Sequence, residues 1–530
     1  MFFFVIVNFV YNRIYDNNFI QLVMYWLCIS LIFILPIFFF IFEKFYSVGK
    51  YYNFSLQLNM LFISIDFINF KLSKDSVVLI SLVLYIYSFA ALYSYYYLYY
   101  EEEKSKFFIF LTIFTLSMVF LFISHNYLFS FLCWEIIGLS SFWLIGHYNR
   151  KISTFKSALK ALFFNKFSDI LFLVSLIIYY ILYKNFKYVE MEKINLNTKI
   201  NFFFFNINLN VLFLLILTTF CTIKSAQLIF SIWLIDSMDA PVPASALIHS
   251  ATLVIAGIYI MYKFKNLYNY YLNITLCISF LCILSALIFS FVACFQTDLK
   301  KILAYSTISQ CGFIIVIMLI SNDFNFFFYT IMHGIIKSIL FMMCGLFFIV
   351  NRHSQDIRNF SNLKYLIFYH FSIFLLILSA LPLSFFYDFK HSIFIKLNYT
   401  YYNIYKNFFL TSIVLFSISS FCYSFILIYK ISTFKDTTNR NFCNIYNDLT
   451  RNGWLMSLFI IILTHIYLFL FLPFNYLLLN NSWELFNYVM LDYKNYNSLN
   501  VLSLYTLIIF EYFFFLSVQK KKVNYLVFLM

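Results

Sequence analysis

Residues 224–257 read KSAQLIFSIWLIDSMDAPVPASALIHSATLVIAG, and this stretch indicates the kind of fold. Lys224 lies late in the apolar run 211–230, and His249 lies in the first half of the apolar run 243–260. Both runs are long enough to cross a bilayer. A charge in the middle of a span costs on the order of 3 kcal/mol, and such residues usually face a wet interior. We therefore expect a membrane protein in which a few ionisable side chains carry the function.

The composition supports this interpretation. Of the 530 residues, 63% are apolar and only 11% are charged, whereas soluble proteins are about 45–50% apolar and about 25% charged. Too few charged side chains are present to cover a soluble protein of this size, so a soluble enzyme is excluded. The 8 glycines and 5 prolines also exclude collagen-like and disordered classes. What remains is an all-α, polytopic transmembrane protein.

Apolar segments recur along the chain and predict about 14 membrane-spanning helices and no β-strands. They lie near 19–42, 76–99, 107–123, 126–146, 159–183, 209–230, 243–262, 271–295, 302–320, 325–350, 365–387, 408–430, 456–479 and 501–518. Basic residues of the central loops number eight on one side, Lys300 and Lys301 included, and six on the other. This balance leaves the membrane orientation open.

Neither the cysteines nor the net charge indicates a cofactor site or a nucleic-acid site. The 10 cysteines are scattered without C-x-x-C spacing, which is typical of small buried side chains rather than of a metal or iron–sulfur site. The formal charge of +14 is expected in loops that face lipid phosphates, and no basic patch indicates nucleic-acid binding.

Other ionisable residues also lie inside apolar runs. Glu135 lies about ten residues from either end of its predicted helix, which makes contact with water difficult. His333 and Lys337 are spaced i, i+4 and therefore share a helix face. A row of Glu, Lys and His side chains across several helices is what a proton path through a bilayer requires.

Each of these residues also has a purely structural interpretation. Lys224, near a helix end, could extend to the membrane interface, and His249 alone could be an ordinary buried histidine. Asp169 follows Lys166 by three residues near a predicted helix start, where an ion pair is the favoured interpretation. The set as a whole favours proton transfer more than any single member does.

The stretch 224–257, the stretch QTDLKKILAYSTISQCG at 296–312, the helix MHGIIKSILFMMCG and HSQDIR at 353–358 together resemble a known family. This family comprises the antiporter-like, proton-translocating membrane subunits of respiratory complex I, and the resemblance is to its mitochondrial subunit 5 branch. It extends over about 60–390 and implies two inverted five-helix repeats, each with a broken helix that lines a hydrated cavity. The implied division is N-terminal membrane helices at 1–106, an antiporter-like proton-translocation core at 107–390 and C-terminal membrane helices at 391–530.

The resemblance implies roles for individual residues. Glu135 matches the family's membrane carboxylate, Lys224 its partner lysine and His249 the relay histidine of the next helix. The residues that would link the two half-channels and release protons are His333, Lys337 and Lys390.

The sequence departs from the family in three places. Ile229 and Ile235 replace prolines of the broken helix, so its break is expected to depend on Asp236 and the prolines at 241 and 243, or to be weaker. Lys390 is displaced by one position, about 100° around a helix. The stretch 480–500 allows a lateral helix of only about 30 Å, so we expect that helix to be short or supplied by other chains.

The resemblance implies a proton-translocating subunit of NADH:ubiquinone oxidoreductase in the mitochondrial inner membrane, encoded in the mitochondrial genome. No cofactor is expected in this chain; FMN, iron–sulfur clusters and ubiquinone would belong to partner subunits. The expected partners are neighbouring antiporter-like subunits, accessory subunits and membrane lipids, but no nucleic acid. Two alternatives stay open: the large subunit of a multi-subunit sodium/proton antiporter, and a structural subunit that has lost pumping.

Overall fold

The computed structural model describes residues 52–56, 68–98, 101, 103–148, 151–188, 199–202, 205–250, 252–351, 354–360, 365–380, 390 and 403–433. Its helices are α1 (Lys74–Tyr97), α2 (Lys104–Ile123), α3 (Tyr127–Ile145), α4 (Ile152–Tyr183), α5 (Leu209–Lys224), α6 (Ile232–Asp236), α7 (Val242–Ser250), α8 (Leu253–Lys263), α9 (Lys265–Tyr270), α10 (Leu272–Phe295), α11 (Leu299–Ile320), α12 (Asp323–Val350), α13 (Tyr365–Leu378) and α14 (Asn403–Thr433). Short 3-10 helices occupy Gly146–Tyr148, Leu228–Ser231, Ser237–Asp239 and Ile357–Asn359.

The all-α, polytopic prediction is confirmed. Within the described part of the chain, 10 helical stretches are long and apolar enough to cross a membrane. The predicted segments at 19–42, 456–479 and 501–518 and the stretch 480–500 lie outside the described residues. Two bounds differ clearly from the prediction: α4 begins at Ile152 rather than near 159, and α13 ends at Leu378 rather than near 387.

The prediction that no strands form is wrong. Strands β1 (Tyr52–Leu56) and β2 (Ile68–Leu72) pair antiparallel, with Phe54 opposite Phe70. Strands β3 (Lys199–Phe202) and β4 (Phe205–Asn208) form a second antiparallel pair. The first pair precedes α1 and the second lies between α4 and α5, and each strand has only four or five residues. A window long enough to detect a membrane span averages over such short segments.

The helices are unequally buried. Helices α7, α8, α11 and α12 are enclosed over nearly their whole length, whereas α4, α10 and α14 each leave an apolar side exposed. Helix α12 packs against α1, α7 and α11, and α10 packs against α11 and α14. The enclosed helices carry His249, His333 and Lys337, so the centre of the protein holds three of the predicted site residues.

Gly257 on α8 allows this helix to approach α5 closely. A Cβ atom at this position would lie 2.6 Å from the carbonyl oxygen of Cys221 on α5. Backbone cannot move as a flexible side chain can, so only glycine fits. Small residues serve this purpose in membrane proteins because close packing, rather than exclusion of water, holds their helices together.

We expect Gly257→Ala to lower the free energy of unfolding by about 1–3 kcal/mol, because the added methyl group forces α8 away from α5. The control is Gly146→Ala, whose Cβ would meet only Ala158 Cβ at 3.4 Å, an ordinary contact. The measurement is the thermal unfolding midpoint of the purified protein in detergent. Equal midpoints for the two variants would contradict the packing argument.

Candidate functional site

The helix that carries Lys224 is broken directly after it. Helix α5 ends at Lys224, and no long helix forms until α7 begins at Val242. Ala226 and Leu228 have positive φ angles of 55° and 45°, a conformation that an α-helix cannot contain. The break therefore begins earlier than the sequence predicted from Asp236 and the two prolines, and it does not require the family's missing prolines.

Lys224 is fully buried at this break. Its Nζ donates to the Trp134 carbonyl oxygen at 3.4 Å and lies 4.8 Å from the centroid of the Trp134 ring. A Cβ atom at Gly138 would lie 3.2 Å from the same Nζ, so this glycine leaves room for the ammonium group. The interpretation that Lys224 extends to the membrane interface is therefore wrong.

Two carboxylates and a second lysine lie beside Lys224. Lys166 Nζ is 3.3 Å from Glu135 Oε1 and 3.3 Å from Asp169 Oδ2, and Asp169 also attracts Lys224. The predicted Lys166–Asp169 ion pair is present, but it is not at a helix start, since α4 begins at Ile152. We call Glu135, Lys166, Asp169 and Lys224 the charged cluster.

Glu135 is less enclosed than its place in the sequence suggested. Its side chain is 34% exposed and that of Lys166 is 44% exposed, both on the lateral surface of this chain. Helix α3 turns this side outward, as the exposed Ile136, Leu139 and Trp143 show. Distance from the helix ends says nothing about sideways exposure, which depends on what packs against the helix.

His249 lies at the other side of the break. It is fully buried on α7, and its Nε2 lies 3.3 Å from Ser237 Oγ. Its ring faces Phe341 of α12 with the centroids 5.5 Å apart. Nδ1 has no hydrogen-bond partner within the described residues. A buried polar atom of this kind can be satisfied by water, as a proton-relay residue requires.

His333 and Lys337 lie on one face of α12, as predicted, and both are fully buried. Lys337 Nζ donates to Ser306 Oγ at 2.5 Å and to the Leu303 carbonyl oxygen at 3.2 Å, both on α11. Neither ring nitrogen of His333 has a partner among the described residues. Lys337 is thus held by neutral oxygen atoms rather than by a carboxylate.

Lys390 is buried as well. Its Nζ donates to Ser420 Oγ on α14 at 3.3 Å and lies 4.8 Å from the Phe416 ring centroid. Its neighbours at 381–389 lie outside the described residues. The displaced lysine therefore reaches a polar partner inside the protein, and its place at the proton exit stays a prediction.

One group of residues beside the start of α3 was not predicted. Burial and, to a smaller extent, the positive charges of Lys71, Lys263 and Lys187 together lower the pKa of His125 to about 4, so this histidine is neutral at physiological pH. Lys263 donates to the Ser124 carbonyl oxygen and lies 4.3 Å from the Tyr188 ring centroid. These contacts hold the end of α8 against Tyr188 and against Ser124, shortly before the start of α3, and no sequence pattern indicates them.

Comparison with known proteins places this chain in a family. The family described as NADH:quinone oxidoreductase/Mrp antiporter, TM, matches residues 124–417, more than half of the chain. The chain belongs to this family. The matched range contains every predicted site residue, from Glu135 to Lys390.

Several curated members of the family resemble this chain. NADH-ubiquinone oxidoreductase chain 5 of Paramecium tetraurelia is 39% identical over 329 residues, which cover 60% of this chain and 56% of that protein. The chain 5 of Wickerhamomyces canadensis is 36% identical over 47% of this chain and 38% of its own length. NADH-quinone oxidoreductase subunit L of Buchnera aphidicola is 34% identical over 48% of this chain and 40% of its own length. The matches thus span about half, or less, of the length of these relatives.

Solved structures share the family fold. A chain of the membrane-bound sulfane sulfur reductase, an archaeal respiratory membrane complex, superposes with a TM-score of 0.68 at 17% identity, covering 87% of this chain and 94% of that one. A chain of the Mrp complex from Dietzia sp. DQ12-45-1b gives a TM-score of 0.65 at 21% identity, covering 82% of this chain and 46% of that one. At these identities the likeness concerns the fold alone.

We expect Ser306→Ala to lower the free energy of unfolding by about 1–3 kcal/mol, because it removes a hydrogen-bond acceptor from the buried Lys337. Ser309→Ala is the control, since the Ser309 hydroxyl donates only to a carbonyl of its own helix. Both variants would be compared by their thermal unfolding midpoints in detergent. A Ser306→Ala midpoint equal to that of the control would mean that this contact does not stabilise Lys337.

Proposed function

We propose that this chain is a membrane-arm subunit of NADH:ubiquinone oxidoreductase that translocates protons across the mitochondrial inner membrane. Electron transfer from NADH to ubiquinone takes place in other subunits, which hold the FMN, the iron–sulfur clusters and the quinone. The relatives named above support the assembly, and the buried ionisable residues support the transport step.

The observation that carries the proposal is the charged cluster beside the broken helix. Lys166 lies between two carboxylates, and one of them, Asp169, attracts Lys224. A structural ion pair needs one acid and one base, whereas this cluster has two of each. Its charges can therefore be rearranged without stranding an unpaired ion, which would cost several kcal/mol.

This arrangement suggests how protons are driven. When Lys166 moves towards Glu135, Asp169 is left to stabilise a proton on Lys224; when Lys166 moves towards Asp169, that stabilisation is lost. Two unit charges 4 Å apart interact by about 4 kcal/mol at an effective dielectric constant of 20, enough to displace a proton. The proton leaves towards His249 and Lys337, and repulsion between successive lysines moves it stepwise.

The lateral surface of α3 and α4 supports the proposed partners. Glu135 and Lys166 reach this surface among apolar side chains such as Leu139, Trp143 and Ile170. An ion pair in contact with lipid tails is costly. We therefore propose that a neighbouring membrane subunit of the same assembly covers this face and encloses the pair.

A second candidate is the large subunit of a multi-subunit sodium/proton antiporter. The likeness of the fold to a chain of the Mrp complex favours it, and the same cluster would serve either function. The two differ in their partners, because an antiporter needs no flavin or iron–sulfur subunit.

We expect the native assembly, purified through this chain, to contain flavin and iron–sulfur subunits and to oxidise NADH. A photo-reactive amino acid at Trp143, which is 55% exposed, should cross-link to a membrane subunit of that assembly, because the charged pair beside it needs cover. The subunits and the cross-linked partner are identified by mass spectrometry, and NADH oxidation is followed by absorbance. An assembly without flavin or iron–sulfur subunits would favour the antiporter and overturn the first proposal, and cross-links to lipid alone would contradict the covered face.

We expect Glu135→Gln and Lys224→Ala each to lower the number of protons moved per NADH oxidised, because each removes one charge of the cluster. The measurement is the pumping ratio of the assembly in sealed vesicles. Arg358→Gln is the control, since this arginine is paired with Asp356 at an exposed position. An unchanged ratio in both cluster variants would indicate the structural subunit that has lost pumping.

A further inference from the structure

A buried lysine outside the predicted relay lies close to it. Lys300, which the sequence places among the loop charges, is only 3% exposed in the first turn of α11. The adjacent Lys301 has a side chain that is 44% exposed and pairs with Asp298 at 3.0 Å. The two lysines are thus neighbours in sequence but occupy opposite environments.

Lys300 and His249 are held by the same short segment. Lys300 Nζ donates to the carbonyl oxygens of Met238 at 3.0 Å and of Ala240 at 2.7 Å. Ser237, which begins this segment, has its hydroxyl 3.3 Å from His249 Nε2. The break in the helix therefore brings the ammonium group of one residue and the ring of the other onto adjacent residues of one turn.

Helix α12 aligns Lys300 with the rest of the relay. Lys337, Phe341, Cys344 and Phe348 are spaced four, three and four residues apart, so they share one face. His249 packs on Phe341, and Lys300 Nζ lies 5.8 Å from the Phe348 ring centroid. From residue 337 to residue 348 the helix rises about 16 Å. His249 thus lies between two buried lysines.

The outer side of this segment approaches the surface. Asp239 is partly exposed and interacts electrostatically with Lys300. The titratable groups that act on Lys300 are Asp239 on the segment and Cys344 on α12, and Lys300 in turn acts on His249. Within the described residues, two of the three N–H groups of Lys300 have protein acceptors, which leaves the third to donate to a water molecule.

We propose that Lys300 is a further proton-transfer residue, which carries protons between the surface beside Asp239 and the buried His249. This inference rests on the proposed function, since it extends the same relay to one membrane surface. It assigns a transport role to a lysine that otherwise serves only to cap the broken helix.

Each step conserves protons and charge. The amine of Lys300 takes a proton from the Asp239 carboxyl group or from water and later releases one towards Ser237. The Ser237 hydroxyl accepts that proton and gives its own to His249 Nε2. His249 then releases a proton from Nδ1 towards Lys337. No bond other than those to hydrogen forms or breaks, so no further reactant is needed.

The test separates transfer from capping with Lys300→Arg in the intact assembly. Arginine keeps the charge and can still donate to the two carbonyl groups, but a guanidinium group does not lose its proton at accessible pH. We expect Lys300→Arg to assemble and to pump fewer protons per NADH, with a loss comparable to that of Lys224→Ala. The matched control is Lys301→Arg, which we expect to pump normally.

A second variant decides the case if Lys300→Arg fails to assemble. Ser237→Ala leaves the carbonyl contacts of Lys300 in place and removes the hydroxyl that lies beside His249 and donates to the Leu234 carbonyl oxygen, so we expect it to lower the same ratio. Its control is Ser245→Ala, whose hydroxyl donates only within α7. Normal pumping by Lys300→Arg, or by Ser237→Ala where the arginine variant does not assemble, would overturn the proposal.

The same experiment distinguishes this inference from the proposed function. If the unsubstituted assembly moves no protons when NADH is oxidised, the proposed function is wrong. If it pumps, and Lys224→Ala lowers the ratio while Lys300→Arg does not, only the role of Lys300 is wrong.

Discussion

The protein depends on how a positive charge is held inside a membrane. Its buried lysines contact carbonyl oxygens, serine hydroxyls and aromatic faces; these lysines are Lys224, Lys300, Lys337 and Lys390. A lysine locked to a single buried carboxylate could lose its proton only by stranding that carboxylate, at a cost of several kcal/mol. Neutral partners stabilise the ammonium group and remain satisfied when the proton leaves, since a neutral amine can still donate hydrogen bonds.

The broken helix supplies these partners. Carbonyl groups inside a continuous helix are occupied by their own N–H groups, whereas those at an interruption are free to accept from a side chain. The segment Ser237–Asp239 and the following Ala240 provide two such carbonyls to Lys300 and a hydroxyl to His249. Interrupted backbone at membrane depth is tolerated only where it is enclosed by protein or lines a wet cavity. Here Ser237, Met238 and Ala240 are buried among the surrounding helices.

Most of the membrane topology could be predicted from the sequence, because a span is a local property of about 20 residues. The burial of His249, His333 and Lys337 and the shared face of the last two followed in the same way. What could not be predicted depends on neighbours. In the sequence Lys300 has the position of a loop charge, and only the broken helix packed against it buries it. Glu135 is exposed on the side of its helix. The strands are shorter than the window over which hydropathy is averaged.

The sequence by itself determined a polytopic helical membrane protein, the family and the ionisable residues inside its spans, since each is written in residue type and spacing. Only the tertiary structure decided which of these charges meet. It placed Lys166 between Glu135 and Asp169, set Lys224 against Trp134 and brought Lys300 beside the turn that contacts His249. The physical reason is that charges interact over a few ångströms in space, and residues that lie dozens of positions apart in the chain come within that distance only after the helices pack.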